Sequence, residues 1–403
     1  MPRSALTATH AAAVQPLTWL AGGAASPAST ATPPLTCASA RMRHLKEIPQ
    51  VPETATGADD RLITVLAQRY GLEHCQLTQL LIGQGTINFH ASCADREVFV
   101  KNYPGNADLP GERAAIGLSA LAGRHGVAVA RVLPSRGGEV IEASAGIAVS
   151  VWEWMPGRVI TGKLTPAHHE QAGTALGRIH AAFAELPAST GSAPQVTEWR
   201  TASVGELSAA ISQLLTIIEQ RAARGDSGTF DTEAARTLTE RLGDIGLIPG
   251  LLAELPELTA QILHGDYSPV NLLFDGERLS AVLDFRPPDP FLISYDLGRM
   301  AFYPNTVARD PGWMSAARTM ITAYQDANPG VPAADIRACA RVALLQLLGS
   351  LYGVRQHYLK PGLFQDDLDE FWLLRHRAAG ILLSHLADTD ALLHALTATP
   401  TRH

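Results

Sequence analysis

The sequence predicts an α+β protein of two lobes, an antiparallel β lobe with one helix followed by a mainly helical lobe. Three observations carry that prediction. Residues from 76 to 155 form short runs with strand-like alternation, separated by turn residues. After Met155-Pro156-Gly157 the chain turns to long stretches of helical periodicity. Within that helical half sits one compact β insert, ILHGDYSPVNLLF, Asp275-Gly276 as a hairpin turn, then LSAVLDF.

The elements follow in order. Leu62, Ile63, Leu66 and Tyr70 recur at helical spacing, and Gly71 closes that helix as a C-cap. Residues 76–82 read as a strand, Gly83-Gln84-Gly85 as a turn, and 87–92 as a second strand. EVFVKNY is a third strand, with Val98 and Val100 alternating against Phe99 and Lys101. A helix follows over 111–124, with Ala114, Leu118, Leu121 and Ala122 on one side; ARVLPS and 146–155 supply two further strands. Helices are predicted at 165–185, 203–224, 231–244, 312–327, 332–358 and 366–395. The expected layout is a disordered tail over 1–55, a β lobe over 56–155 and a helical lobe over 156–403. Two lobes joined by a hinge leave a cleft between them, where ligands usually bind.

Composition narrows the function. The chain has 403 residues, 46% of them hydrophobic, enough for a packed core in each lobe. A formal net charge of −7 argues against a nucleic-acid-binding surface. Four cysteines (Cys37, Cys75, Cys93 and Cys339) show no CxxC pair and no zinc-like spacing. They read as reduced thiols of a cytoplasmic protein, with Cys75 and Cys93 at strand ends and no disulfide framework. No run of about 18 apolar residues is present to predict a spanning helix, so no membrane partner is expected. Residues 11–25 faintly resemble a signal-peptide core, but Pro16 interrupts them and only Arg3 precedes them. The tail is read as disordered, with translation from Met42 as a further expectation. A monomer or homodimer is expected.

The β insert carries the chemistry. Phosphoryl transfer to a hydroxyl needs a carboxylate to orient and accept the alcohol proton, and oxygen ligands to hold Mg²⁺ on the phosphates. Asp266 falls on the loop between the strands ILH and NLLF, Asn271 lies five residues on, and Asp284 ends the paired strand. One local unit thereby supplies a base and two metal ligands.

HGDYSPVNLLFDGERLSAVLDF resembles the signature of the aminoglycoside phosphotransferase and choline kinase superfamily, H-G-D-x-x-x-x-N followed by L-D-F. The arrangement is that of the H-R-D-x-x-x-x-N and D-F-G pair of protein kinases, with Gly265 in place of Arg. The resemblance extends over roughly 60–400 and implies a protein-kinase-like fold using ATP and Mg²⁺. It implies that Asp266 is the base, that Asn271 and Asp284 are metal ligands, and that His264 and Asp296, the latter in SYDLGRM, brace the loop. In the first lobe, Lys101 resembles the strand-three lysine that holds the ATP phosphates, with Glu112 as its ion-pair partner. Trp152-Glu153-Trp154-Met155 resembles the hinge that meets adenine, Trp152 or Trp154 lying near the purine; its sequence leaves GTP open as an alternative to ATP. LGRIHAAF (176–183) resembles the family's L-x-x-L-H helix.

Other readings compete at single residues. A lone strand lysine is usually a solvated edge residue, Asp-Tyr-Ser-Pro is turn-like, and Gly83 and Gly85 mark a hairpin turn whose amides could also cover phosphates. The stripe Leu344, Leu345, Leu348, Leu351 and Tyr352 is core. Arg286 stands where the family often has an acidic residue, and it either meets an anion or points to solvent. The acidic run Asp366, Asp367, Asp369 and Glu370 complements a helix N-terminus or attracts a polycationic antibiotic. The acceptor expected first is an antibiotic hydroxyl (aminoglycoside-type, peptide or nucleoside), giving resistance or self-protection. Homoserine, choline, another amino alcohol or a sugar is the metabolic alternative, and a non-catalytic kinase-like binding protein the third.

Overall fold

The computed structural model describes residues 57–80, 85–186, 193–286, 289–361 and 365–398. The tail expected at 1–55, Met42 and Gly83 lie outside the described residues.

In the first lobe α1 (Gly57–Val65) runs into a π-helical turn, Leu66–Tyr70, which Gly71 ends at φ 71°, as a C-cap should. There follow β1 (Gln76–Leu80), β2 (Ile87–Ser92), β3 (Glu97–Tyr103), α2 (Leu109–Arg124), β4 (Val132–Leu133), β5 (Glu142–Ser144) and β6 (Ile147–Glu153). The strands form one six-stranded sheet in the order β1-β2-β3-β6-β4, with β5 also on β6. Each pairing in it is antiparallel. Val98 and Val100 are fully buried together with Val149 and Val151. The period of two therefore turns Phe99 and Lys101 to the opposite face.

The cysteines correct the sequence reading. Cys75 and Cys93 form a disulfide, while Cys339 is free and buried. The two do sit at strand ends, and that is the cause. The register of β1 on β2 sets Gln76 opposite Ser92, so the flanking positions 75 and 93 meet, with Cα atoms 4.0 Å apart. A spacing of 18 residues has no motif to reveal this; only the hairpin register does.

The second lobe contains β7 (Arg158–Val159), α3 (Pro166–Phe183), α4 (Pro194–Arg200), α5 (Val204–Arg224), α6 (Thr229–Asp244), α7 (Ile248–Ala253), β8 (Ala260–Gln261), β9 (Leu272–Asp275), β10 (Arg278–Val282) and β11 (Phe291–Leu292). It continues with α8 (Ile293–Ala301), α9 (Pro304–Arg309), α10 (Trp313–Ala327), α11 (Ala333–Gly349), α12 (Val354–Leu359), α13 (Gln365–Ser384) and α14 (Leu386–Thr397). The β insert is a small sheet, β10-β9-β7, beside a two-stranded pair, β11-β8. Its turn is centred one residue later than predicted. Asp275 still pairs with Arg278, leaving Gly276 (φ 60°) and Glu277 as the loop.

Two predicted long helices are each broken in two. Gly353 at φ 99° separates α11 from α12, and a Cβ there would fall 2.6 Å from the carbonyl oxygen of Leu368. His385 separates α13 from α14. The expected apolar stripe is mostly core: Leu344, Leu345 and Leu348 on α11 and Leu351 just past its end are buried, while Tyr352 is half-buried. No single described helix is long and apolar enough to cross a membrane.

The lobes meet at the insert. Val282 N donates to Ala128 O (2.8 Å), and Ser280 Oγ donates to the carbonyl of Pro156. The insert thus sits directly under the hinge.

Candidate active site

The loop after β8 is fixed from both ends. Gly265 lies at φ 83°, and a Cβ there would come within 3.0 Å of Arg286 Cβ, so glycine is demanded twice over. Its N–H donates to Asp296 Oδ2 (3.1 Å), a carboxylate fully buried at the start of α8. His264 is also fully buried. Its Nε2–H donates to Leu283 O (2.9 Å) while Nδ1 accepts from Asp266 N (3.2 Å), which requires the neutral ring. Burial pushes its pKa down, consistent with that tautomer. Asn271 Nδ2 donates to Asp266 O (2.8 Å), closing the loop on itself.

The exit of β10 is bonded to the same loop. Leu283 N donates to Asn271 O (2.9 Å) and Arg286 N to His264 O (3.0 Å). Between them Asp284 adopts φ 55°, a left-handed conformation rare outside glycine. Its carboxylate is 46% exposed, within reach of a ligand, and its Oδ1 lies 2.5 Å from Lys101 Nζ. The Lys101 ammonium holds the Asp284 carboxyl below its usual range. Burial pulls the Lys101 pKa down, but the Asp284 carboxylate, helped by Tyr103 and Glu112, leaves it raised on balance.

This corrects the expected Lys101–Glu112 ion pair. Glu112, in the first turn of α2, is hydrogen-bonded with Tyr103 and acts on Lys101 only through its field, whereas Asp284 on the opposite lobe makes the contact with Lys101. The closer carboxylate wins because charge attraction falls with separation.

Asp266 and Arg286 form an ion pair that the sequence left unassigned, with Arg286 Nη2 2.9 Å from Asp266 Oδ2. Arg299, three residues past Asp296 on α8, takes the other carboxylate oxygen. Sequence reasoning missed Arg299, although it falls inside the SYDLGRM segment. His180, the histidine of the LGRIHAAF segment on α3, was given no role by sequence; its Nε2 is 3.5 Å from Asp296 and its Nδ1 meets Tyr324 Oη at 2.9 Å.

The remaining predicted residues lie further out. Gly85 is at φ 90° before β2. Glu153 ends β6 and pairs with Arg131 (2.5 Å), while Met155 follows in the link to β7. Trp154 packs on His90, ring centroids 4.1 Å apart, and Trp152 Nε1 donates to Ser150 Oγ (2.8 Å). The acidic run opens α13, and two of its members are occupied. Asp369 pairs with His357 (2.7 Å) and Glu370 with Arg309.

Among the described residues no cluster of three or more His, Cys, Asp or Glu side chains could hold a metal by itself. The side-chain oxygens of Asp284 and Asn271 nevertheless suit Mg²⁺, which binds through one or two protein oxygens, substrate phosphates and water.

An antiparallel β lobe, a helical lobe and a loop-and-hairpin carboxylate site between them define a fold of protein-kinase-like build. A family model described as the APH phosphotransferase enzyme family matches residues 77–336, and the chain belongs to that family. The curated relatives it matches include a homoserine kinase of Nitrobacter winogradskyi, 26% identical over 217 residues, 52% of this chain and 57% of the relative. The chain thus spans little more than half the length of that relative. Among solved structures, an aminoglycoside phosphotransferase from Alicyclobacillus acidocaldarius has TM-score 0.54 at 15% identity, covering 86% of this chain and 100% of its own. A spectinomycin phosphotransferase in complex with ADP and spectinomycin has TM-score 0.53 at 15% identity, covering 80% and 98%. These likenesses show the fold.

Proposed function

We propose that the chain transfers the γ-phosphoryl group of ATP to a hydroxyl of a small molecule, with Asp266 as the base. The observation that carries this reading is the convergence of Asp266, Asn271, Asp284 and Lys101 through one bonded loop and one inter-lobe ion pair. The acceptor oxygen forms the new P–O bond, the bond from the γ-phosphorus to the bridging oxygen of ADP breaks, and the hydroxyl proton passes to Asp266. Lys101 holds the phosphates, and Gly85 lies at the turn that would cover them. Glu153 and Met155 present hinge backbone to the purine. Asn271 and Asp284 would hold Mg²⁺, which when bound neutralises charge on the phosphates. His264 and Asp296 keep the loop in shape. GTP in place of ATP is a further specificity compatible with this hinge.

For the acceptor, two observations favour the metabolic reading over a polycationic antibiotic. Asp369 and Glu370, which could have attracted such a drug, are engaged by His357 and Arg309. The matched homoserine kinase is a metabolic kinase by its name.

The test is an ATP-consumption screen of the purified chain with homoserine, choline, amino alcohols, sugars and antibiotics. Asp266→Ala should lower turnover of any accepted substrate by about 10³-fold or more while Mg²⁺–nucleotide binding persists. Full activity in that variant removes Asp266 from the role of base.

A further inference from the structure

A small cleft, one side chain away from Asp266, is lined by Arg299, Tyr303, Gln346, Phe371 and Arg375 among others. Arg299 joins it directly to the site, since the same guanidinium holds Asp266. Arg375, from the middle of α13, is only 6% exposed. Its contacts are one long hydrogen bond to Gln346 O (3.3 Å) and the face of Phe371, 5.7 Å to the ring centroid. Its Nε has no partner, nor has the Nε of Arg299 or of Arg286. A further buried guanidinium, Arg241, lies behind, bonded to the last carbonyls of α11 at Leu347 and Leu348.

Charge is unbalanced here. Among the described residues neither Arg375 nor Arg241 has a carboxylate within ion-pair distance, and Asp266 is shared by Arg286 and Arg299. Asp296 adds one buried carboxylate below the loop, and the carbonyls at the end of α11 offset part of the excess. Burial, then the fields of Arg299 and Arg241, lower Arg375 to about 10. A buried, unpaired guanidinium is expensive unless an anion meets it.

We infer that this cleft binds the acceptor through an oxyanion, a carboxylate or a phosphate, held by Arg375 and Arg299 while the acceptor hydroxyl lies at Asp266. The inference rests on the kinase reading and deepens it. A planar guanidinium with free N–H donors matches an oxyanion, and two of them impose orientation as well as attraction. A polycationic acceptor would meet this cleft with like charge.

The test compares matched alcohols that differ in charge: L-homoserine with 3-aminopropan-1-ol, glycerate with glycerol, and glycerol 3-phosphate with glycerol. The acid or phosphate member should be phosphorylated with at least tenfold higher kcat/KM, and the two anion arms separate carboxylate from phosphate. In Arg375→Gln the KM for the anionic member should rise at least tenfold, with kcat falling by less. Preference for the neutral or cationic member overturns the inference, as does an anion preference that survives in Arg375→Gln. The preference is read on the unmodified chain, so it decides even if the variant fails to fold. If no pair is turned over, sulfate titrated by calorimetry decides. Millimolar binding that Arg375→Gln abolishes supports the cleft, and no binding overturns it. Failure to bind Mg²⁺–ATP would instead overturn the kinase reading, a separate outcome measured in the same samples.

Discussion

Lys101, on the third strand of the β lobe, places its Nζ 2.5 Å from Asp284 Oδ1 on the far side of the cleft, across 183 residues of sequence. This contact joins the two lobes at the proposed phosphate site. Asp284→Asn would keep the shape and remove the charge that meets Lys101 and that is proposed to hold Mg²⁺. We expect turnover to fall by about 10³-fold and Mg²⁺-dependent nucleotide binding to weaken, read by titration of a fluorescent ATP analogue. Magnesium dependence identical to that of the unmodified chain would take Asp284 out of the metal site.

Gly298 lies between Asp296 and Arg299 on α8, where α8 packs on α11. A Cβ at Gly298 would fall 2.2 Å from Cys339 O, so the two helices approach this closely only with glycine there. Gly298→Ala should cost about 1–3 kcal/mol in urea unfolding. It should also shift both flanking side chains and lower kcat/KM by about 10²-fold. A variant with unchanged stability and activity would show that α8 can move away without disturbing the site.

His169 on α3 is 2% exposed, and neither ring nitrogen has a partner. Burial lowers its pKa from 6.5 to about 4, the nearby Asp310 carboxylate working in the opposite direction and Lys163 and His168 reinforcing it. The unfolded chain therefore takes up this proton between pH 6.5 and pH 4 while the folded chain does not. The stability contribution is complete above pH 6.5 and lost as pH falls towards 4, by about 3 kcal/mol at most. As pH falls through that window, the unfolding free energy of the unmodified chain should drop relative to that of His169→Gln. Parallel curves would contradict the assignment.

Local pattern made much of the fold legible. The alternation at Val98 and Val100 fixed which face of β3 carries Lys101, and the Gly71 cap ended the first helix where predicted. The break at Gly353 was harder to read, because apolar periodicity continues on both sides of it. What demands a bend there is the approach of Leu368, fifteen residues later.

The site divides in the same way. His264, Asp266, Asn271 and Asp284 lie within one short stretch, so sequence by itself determined their grouping and the chemistry they imply. Partners brought from distant segments were decided only by tertiary structure. The Cys75–Cys93 bridge follows from strand register, the Lys101–Asp284 pair from closure of one lobe on the other, and the Asp266–Arg299 pair from the docking of α8. Arg375 shows why most clearly. In sequence it is one of several charged residues along a mixed helix, and only the tertiary structure buries it beside Arg299, as the proposed anion site, with no described carboxylate within ion-pair distance.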